Sequence, residues 1–299
     1  MEYHDIFWES QVGWNNYTQQ VIGVSLSIKT AVLSDIHGNL PALEAVLTAV
    51  DREGCSRLFF LGDIVNGADP HNCVALLQAW GKSAGRELYC IQGNAEVYTL
   101  TPHLEALPRR EERENQELIG LITWFREHLT PADLDWLESL PDVLVLEGAC
   151  LAHDSPLDRL FPARWHLPGL ADAYQEWFYH GPGIKKTLDG APLEELLAWM
   201  DTRGVTSVFC GHTHEPFVRR LGLRLICNAG AVGLPLDGDP RSSWVLVDGD
   251  VTIHRVAYDI DRALRLIDDN GYPTLEKPTM RRAYKKMFQT GIHWRAHLG

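Results

Sequence analysis

The sequence lacks the features of a membrane or exported protein. No stretch approaches the roughly 18 consecutive apolar residues of a membrane-spanning helix, which argues against such a span. No Lys or Arg precedes Lys29, so the opening residues lack the basic region of secretory and mitochondrial leaders. We therefore expect a cytoplasmic protein that acts without a membrane.

Cysteine pairs with redox or zinc-ligand spacing are also absent. The six cysteines are far apart, no two form a C-x-x-C pair, and four lie in or beside apolar runs. Cysteine in such runs behaves as a small hydrophobe. Reduced, buried thiols are expected, and a structural zinc site built from cysteines is not.

Positive charge is scarce over most of the chain. Lys and Arg number 27 against 40 Asp and Glu, which gives a net charge of −13. A body this acidic repels phosphate polymers, so general nucleic-acid binding is disfavoured. The exception is the tail after Glu276, which has basic residues and no acidic one. Docking on the acidic body and binding of an anionic partner are the two interpretations of this tail. Its basic residues are Lys277, Arg281, Arg282, Lys285, Lys286 and Arg295.

The order of the predicted elements indicates one large α/β unit. A chain of 299 residues can bury roughly 75% of its unfolded surface. Short apolar runs alternate with helices that start at Asn39 and at Asp69-Pro70, and two such βα units in succession predict a parallel sheet. Later β runs with tight turns, between residues 217 and 256, are expected to complete a second sheet as antiparallel strands.

The chain divides into three predicted parts. Residues 1–27 form an extension, residues 28–258 form the domain, and residues 259–299 form a last helix with the basic tail. A charged helical insertion covers about residues 97–141. Charged helices of this kind are usually solvated faces, but the insertion lies between two site-bearing strands and is therefore also a candidate lid.

Residue types that bind metals follow five of the apolar runs, at the point where each run would leave the sheet. Buried sheets of this kind place ligands beyond the carboxyl ends of their strands, so we expect these side chains to meet at one edge. Each motif alone is also typical of a turn or a satisfied polar residue, and the common placement carries the prediction. The residues are Asp35, His37, Asp63, Asn94, His153, His212 and His214.

The donor types predict a pair of divalent metal ions. Carboxylate, amide and imidazole groups suit Mn²⁺, Fe²⁺ or Zn²⁺. Asp35 and His37 can hold one ion. Asn94 and His153 can hold the other, while Asp63 bridges the two and the histidines of Gly-His-Thr-His are divided between them. Such a pair, about 3.5–4 Å apart, activates a shared water and clamps phosphoryl oxygens, so the pattern predicts hydrolysis at phosphorus.

The ordered set resembles the calcineurin-like metallophosphoesterase superfamily, whose signature runs D-x-H, G-D-x-x-[D/N], G-N-[H/C]-[D/E], a lone His and G-H-x-H. The match covers about residues 28–258, and Asn228-Ala-Gly-Ala-Val-Gly233 is most similar to the small bacterial and archaeal phosphodiesterase branch. The five blocks are Asp35-Ile-His37, Gly62-Asp63-Ile-Val-Asn66, Gly93-Asn94-Ala95-Glu96, His153 and Gly211-His212-Thr-His214.

The resemblance implies a fold and two ligand sets. The fold would be a four-layer α/β/β/α sandwich of two mixed β-sheets with helices outside. Asn66 and Glu96 would support the ligands without binding metal. The expected cofactors are two divalent ions, Mn²⁺ first, with Fe, Zn, Ni or Co as alternatives. The implied sets are Asp35, His37, Asp63 and His214 for one ion, and Asp63, Asn94, His153 and His212 for the other.

One position departs from the family pattern. Ala95 stands where the family often has a histidine that assists the leaving group. Alanine cannot transfer a proton, and general acid help is typically worth about 10²–10⁴-fold. No catalytic group beyond a metal-bound hydroxide is therefore assigned. Aryl or phosphate leaving groups are expected to react well and alkoxides slowly.

The expected function is a two-metal phosphoesterase that hydrolyses small phosphate esters, above all phosphodiesters or nucleotides. A catalytically weak metal-binding scaffold and a phosphoprotein phosphatase are the alternatives. A homo-oligomer is a further option, because the aromatic residues between 165 and 179 could form an exposed patch.

Overall fold

The structure is a computed structural model that describes residues 28–101, 112–157, 190–272 and 278–292. Within these residues the chain forms ten strands and eight helices. The strands are β1 (Thr30–Leu33), β2 (Arg57–Phe60), β3 (Glu87–Cys90), β4 (Val143–Leu146), β5 (Ala149–Ala152), β6 (Ser207–Cys210), β7 (Phe217–Leu221), β8 (Arg224–Asn228), β9 (Ser242–Asp248) and β10 (Asp250–Val256). The helices are α1 (Leu40–Arg52), α2 (Pro70–Lys82), α3 (Asn94–Leu100), α4 (Glu112–Glu127), α5 (Pro131–Ser139), α6 (Gly190–Thr202), α7 (Ile260–Asp269) and α8 (Pro278–Thr290).

The strands form two mixed five-stranded sheets. The first has the order β10-β9-β1-β2-β3, in which β1, β2 and β3 are parallel. The second has the order β4-β5-β6-β8-β7, in which β5, β6 and β8 are parallel and the two outer strands are antiparallel to their neighbours. The predicted parallel sheet and the two-sheet sandwich are both confirmed.

The prediction that the late β runs complete the second sheet is wrong for β9 and β10. β7 and β8 do join that sheet, but β9 pairs antiparallel with β1 and β10 follows it at the edge of the first sheet. The β9–β10 hairpin would have the same turn and the same alternation of side chains in either sheet. The sheet that it joins depends on pairing with a strand about 200 residues earlier, and local sequence does not indicate that pairing.

Alternation along the strands produces the layers. Val32 of β1 and Phe59 of β2 face the core between the sheets, where they join Phe209 of β6. Their neighbours in sequence, including Leu33 and Phe60, pack instead under α1 and α2. Because successive side chains point to opposite faces, these strands are apolar throughout and buried on both sides. α6 covers the outer face of the second sheet through Leu196 and Met200.

The predicted helix starts are confirmed. α1 begins after Asn39, whose side chain accepts a hydrogen bond from the amide of Ala42 at 3.2 Å. α2 begins at Pro70, although Asp69 makes no capping hydrogen bond and accepts instead from the side chain of Asn72.

The C-terminal part packs on the domain. Lys285 of α8 lies 3.4 Å from Asp268 of α7, and Met287 is buried. Tyr272 and Leu264 join Trp124 of α4 in a separate apolar cluster. Phe288 of α8 packs against the same cluster, which agrees with docking of the tail on the body, while binding of an anionic partner stays a prediction.

Several predictions fall on other parts of the chain. The extension over 1–27, residues 102–111 of the candidate lid and the aromatic residues between 165 and 179 lie outside the described residues. All six cysteines are described, and they are free and buried as predicted. In the described ranges, no helix combines the length and apolarity that a membrane crossing requires.

Candidate metal centre

The seven predicted ligands converge beyond the carboxyl ends of the parallel strands. The first sheet contributes four of them from the loops after β1, β2 and β3. The second sheet contributes three after β5 and β6. Six of the seven are buried and His212 is half-buried. In chain order they are Asp35, His37, Asp63, Asn94, His153, His212 and His214.

Asp35, His37 and His214 form a first group. Nε2 of His37 lies 3.1 Å from Nε2 of His214. Oδ1 of Asp35 lies 3.2 Å from the His214 nitrogen and 3.6 Å from the His37 nitrogen. Donor atoms about 2.1 Å from one ion lie roughly 3.0–3.5 Å from one another. The three atoms therefore have the spacing of a shared cation site.

Asn94, His153 and His212 form a second group. Oδ1 of Asn94 lies 3.1 Å from Nε2 of His153 and 2.9 Å from Nδ1 of His212. The rings of His153 and His212 meet edge to face with their centroids 5.1 Å apart. This group also offers nitrogen and oxygen atoms at the spacing of a cation site.

Asp63 lies between the two groups. Its Oδ2 atom is 3.7 Å from Nε2 of His37 in the first group and 3.5 Å from Nε2 of His153 in the second. Its other oxygen accepts a hydrogen bond from the amide of Ala95 at 2.7 Å. One carboxylate oxygen within reach of both groups is the arrangement that a bridging ligand requires.

The hydrogen bonds of the seven side chains also indicate that they suit metal ions. Nδ1 of His37 is buried, and no hydrogen-bond partner for it lies among the described residues. Two imidazole Nε2 atoms 3.1 Å apart, in His37 and His214, cannot both carry a proton. Buried lone pairs that face one another are costly unless a cation lies among them. The residues therefore fit divalent metal ions.

Left-handed backbone brings the paired ligands to one side. In an extended strand, residues two apart point to the same face. These two ligand pairs do not lie in extended strands but in loops whose residues have positive φ. Asp35 and His37 have φ of 55° and 47°, and His212 and His214 have φ of 63° and 56°. Asp63 has φ of 59°. Such conformations cost roughly 1–2 kcal/mol each in non-glycine residues and cluster at functional sites.

Glycines allow the ligand loops to touch. A Cβ atom on Gly93 would overlap Oδ1 of Asp63, and one on Gly211 would overlap the side chains of Ser34 and Asp35. The motif glycines are therefore required by close approach to the ligands themselves.

Hydrogen bonds orient the imidazoles. Nδ1 of His153 lies 2.7 Å from the carbonyl oxygen of Leu61, and Nδ1 of His214 lies 2.6 Å from that of Leu234. A proton on each Nδ1 leaves the Nε2 lone pair facing the metal groups. These contacts fix the tautomer that a metal ligand needs.

Glu96 ties two ligand loops together. Its fully buried carboxylate accepts hydrogen bonds from four backbone amides. The donors are Gly93 and Asp63 at 2.7 Å, Ile64 at 2.8 Å and Val65 at 3.2 Å. Asn66 lies at the end of this loop with φ of 66°, and its Oδ1 accepts from the hydroxyl of Tyr272 at 3.3 Å. Glu96 thus contacts the backbone of the ligand loops and Asn66 contacts Tyr272, and neither side chain belongs to the two metal groups.

The electrostatics of the site follow from this crowding. Burial alone would raise the pKa of Asp35, but the nearby His214 and His37 outweigh it and hold that pKa well below its ordinary value. Burial would lower the pKa of His153, whereas Asp63 and Asp35 raise it to about 10. Desolvation dominates at His212 and lowers its pKa. The pKa of each of these groups is thus set by the balance between its burial and the charged neighbours that crowd it.

Two supporting residues are not predicted from the sequence. Asn228 donates from Nδ2 to the carbonyl oxygen of Gly211 at 2.6 Å, which fixes the loop that carries the paired histidines. Tyr272 supports Asn66 from the C-terminal part. Asn228 ends a β run and begins the family-like Asn-Ala-Gly segment, which is the signal that could have identified it. Tyr272 has no motif around it.

The fold and the site together define a class. Two β-sheets packed face to face, with nitrogen and oxygen donors gathered at the carboxyl ends of their strands, are typical of metal-dependent hydrolases. The family model of the calcineurin-like phosphoesterase superfamily domain matches residues 28–250. The chain therefore belongs to the calcineurin-like phosphoesterase superfamily, and family and fold indicate a metal-dependent phosphoester hydrolase.

Individual relatives agree with this assignment. An uncharacterized protein of Methanocaldococcus jannaschii is 28% identical over 266 residues, which cover 81% of this chain and 93% of the relative. A metallophosphoesterase from Sphaerobacter thermophilus has a solved structure that is 25% identical with a TM-score of 0.59, covering 89% of this chain and 100% of its own. A hypothetical protein from Pyrococcus horikoshii OT3 is 18% identical with a TM-score of 0.64, covering 89% and 99%, and shows likeness of fold alone.

Proposed function

We propose that the protein hydrolyses small phosphate esters, phosphodiesters above all, at a centre that holds two divalent metal ions. The position of Asp63 carries this proposal, because its Oδ2 lies 3.7 Å from a nitrogen of one donor group and 3.5 Å from a nitrogen of the other. One ion would be held by Asp35, His37, Asp63 and His214, and the other by Asp63, Asn94, His153 and His212.

Two bound ions would supply a water of lowered pKa and a clamp for phosphoryl oxygens. The chain's own residues fix the donors. Leu61 and Leu234 hold His153 and His214 through their carbonyl oxygens, and Glu96 holds the loop of Asp63. The donors include no thiolate, so Mn²⁺ is our first choice, while Fe, Zn, Ni and Co satisfy the same donors.

Position 95 contributes a backbone amide and no proton. Ala95 is 2% exposed, and its N–H donates to Asp63. The leaving group therefore receives no proton from this position. Rates should depend steeply on the basicity of the leaving group, so that p-nitrophenyl esters react at least about 10²-fold faster than alkyl esters of the same phosphate.

The test begins with metal-depleted protein. It is reloaded with Mn²⁺, the bound metal is counted by elemental analysis, and hydrolysis of bis-p-nitrophenyl phosphate and p-nitrophenyl phosphate is measured. We expect two ions per chain and faster turnover of the diester. Bound metal with no turnover of any ester would overturn the enzyme in favour of a metal-binding scaffold. Preference for phosphopeptides over both small esters would favour a phosphoprotein phosphatase.

A further inference from the structure

A cleft lies beside the first metal group. It contains about 470 Å³ that no protein atom fills, part of it open to bulk solvent. His37 and Asn66 line it from the ligand loops, and Leu234 lines it from the segment between β8 and β9. Leu266, Tyr272 and Phe288 line it from the C-terminal part of the chain. His37 is the one predicted metal ligand in this described lining, so the cleft adjoins the first metal group through that side chain.

The described lining of this cleft is mostly apolar and contains no Lys or Arg. The amide of Asn39 is occupied, since it caps α1 and donates to the carbonyl oxygen of Gly233. The hydroxyl of Tyr272 donates to Asn66. A second phosphate in the cleft would therefore meet no cationic partner from this lining, whereas an uncharged ring or chain would meet carbon atoms.

We propose that the cleft binds the organic substituent of the substrate, and that this substituent is uncharged and aromatic or otherwise apolar. The inference rests on the proposed function, because it requires the phosphate to be held at the metal groups. It narrows the substrate to phosphodiesters that carry such a substituent and disfavours those whose second group is a further phosphate.

The wall opposite the ligand loops is held in place before any ligand binds. Tyr272 is 4% exposed and packs edge to face on Trp124, with ring centroids 5.3 Å apart. The carbonyl oxygen of Gly291, just after α8, accepts a hydrogen bond from the amide of Gly238 at 2.9 Å. Leu266 and Phe288 are half-buried, so part of each side chain remains available for contact. A preformed apolar wall costs a ligand little ordering.

A series of substrates separates the effect of binding in the cleft from the effect of the leaving group. p-Nitrophenyl phosphodiesters with methyl, butyl, phenyl or 1-naphthyl as the second substituent share one leaving group. Each rate is divided by the rate of the uncatalysed reaction with the same ester. We expect kcat/KM to rise about tenfold from methyl to phenyl, mostly through KM, because the ring surface leaves water.

A pair of variants localises the effect. Leu266→Ala shortens the wall, and Leu197→Ala is the matched control because it replaces a half-buried leucine of α6, which packs on the second sheet. Leu266→Ala should raise KM about three- to tenfold for the phenyl ester and by a smaller factor for the methyl ester. Leu197→Ala should change neither KM. A thermal melt of each variant checks folding, and Leu266→Met should restore the phenyl preference if Leu266→Ala is poorly folded.

Binding of methylphosphonate and 1-naphthylphosphonate to the Mn²⁺-loaded protein, measured by calorimetry, gives a readout without turnover. We expect the naphthyl compound to bind about tenfold more tightly. Equal KM across the ester series and equal affinity for both phosphonates, with turnover intact, would overturn the cleft proposal alone. A tenfold naphthyl preference with no turnover of any ester would keep the cleft as a binding site and overturn the proposed function.

Discussion

The two sides of the cleft are built by different physical means. On one side are the ligand loops, residues 34–39, 62–67, 93–96 and 211–214, in which backbone touches backbone: a Cβ atom on Gly62 would overlap Gly93, and one on Gly67 would overlap His37. On the other side is the C-terminal wall, formed by α7, Tyr272 and α8, in which apolar side chains and the Lys285–Asp268 pair make the contacts. The loops therefore determine the chemistry and tolerate few substitutions. Substitutions in the wall are tolerated better, and they change which molecule the cleft accepts.

The largest effect should come from the shared carboxylate. Asp63→Asn removes the charge common to both donor groups, so we expect kcat/KM to fall on the order of 10³-fold or more and metal content to fall below two per chain. Asp268→Asn in the C-terminal wall is the matched control, and its exposed pair should contribute about 0–1 kcal/mol. Activity assays and elemental analysis measure the difference. Two bound ions and full activity in Asp63→Asn would contradict the bridging role.

The next effect separates crowded from open glycines. Gly93→Ala places a methyl group on Asp63, so it should lower kcat/KM about 10²-fold through misplacement of the ligand and destabilise the fold by about 1–3 kcal/mol. Gly120→Ala on α4 meets nothing within 4 Å and should stabilise the protein by about 0.5–1 kcal/mol with activity unchanged. Denaturant titration and initial rates test both. Equal stability and equal kcat/KM in the two variants would contradict the proposed difference between crowded and open glycines.

A smaller effect is expected at the buried carboxylate behind the loops. Glu96→Gln replaces an acceptor of four amide hydrogen bonds by a group that is half donor, which should weaken metal binding about 10–100-fold and cost about 1–3 kcal/mol of stability. Glu194→Gln changes an exposed carboxylate of α6 and should alter neither quantity. Metal titration by calorimetry provides the measurement. Unchanged affinity in Glu96→Gln would show that the loops hold without this anchor.

The smallest effect lies in the outer helices, at the start of α5. Burial alone would raise the pKa of Asp133, but hydrogen bonds from Thr130 and His71 outweigh it and lower that pKa below its ordinary value of 3.8. The stabilisation is therefore present above pH 3.8 and is lost as the pH falls through the lowered pKa of the folded state. Asp133→Asn should cost about 1 kcal/mol at pH 7 and less below pH 3.8, with activity unchanged. A difference that does not shrink in acid would contradict this account.

The same contrast explains what the sequence could predict. The ligands and the starts of α1 and α2 were within reach of local patterns, because each is a few residues at fixed spacing. The sheet assignment of β9 and β10 was not, since it depends on pairing with β1. The positive φ of Asp35 and of His212 depends on how each loop is fixed at both of its ends, and no single sequence motif predicts it.

The C-terminal wall shows the same limit from another direction. The sequence predicts the helix over Ile260–Asp269, which is observed as α7. It predicts a basic tail after that helix but not that residues Pro278–Thr290 of the tail form a second helix, α8. It does not indicate that Leu266 and Phe288 line a cleft beside His37, because that contact joins residues more than 200 positions apart. The metal-ligand residues were recognisable from their spacing in the sequence, whereas the shape of the cleft beside them could be seen only in the folded structure.

The six buried thiols make the natural chain convenient for site-directed labelling. Burial raises the pKa of Cys150 and Cys227 to about 12, and only a thiolate attacks a maleimide at a useful rate. A cysteine introduced in place of the half-buried Leu266 should therefore take up a spin label or a photocrosslinker ahead of every native thiol. The cleft can then be mapped by spectroscopy or by covalent capture without first removing a single native cysteine.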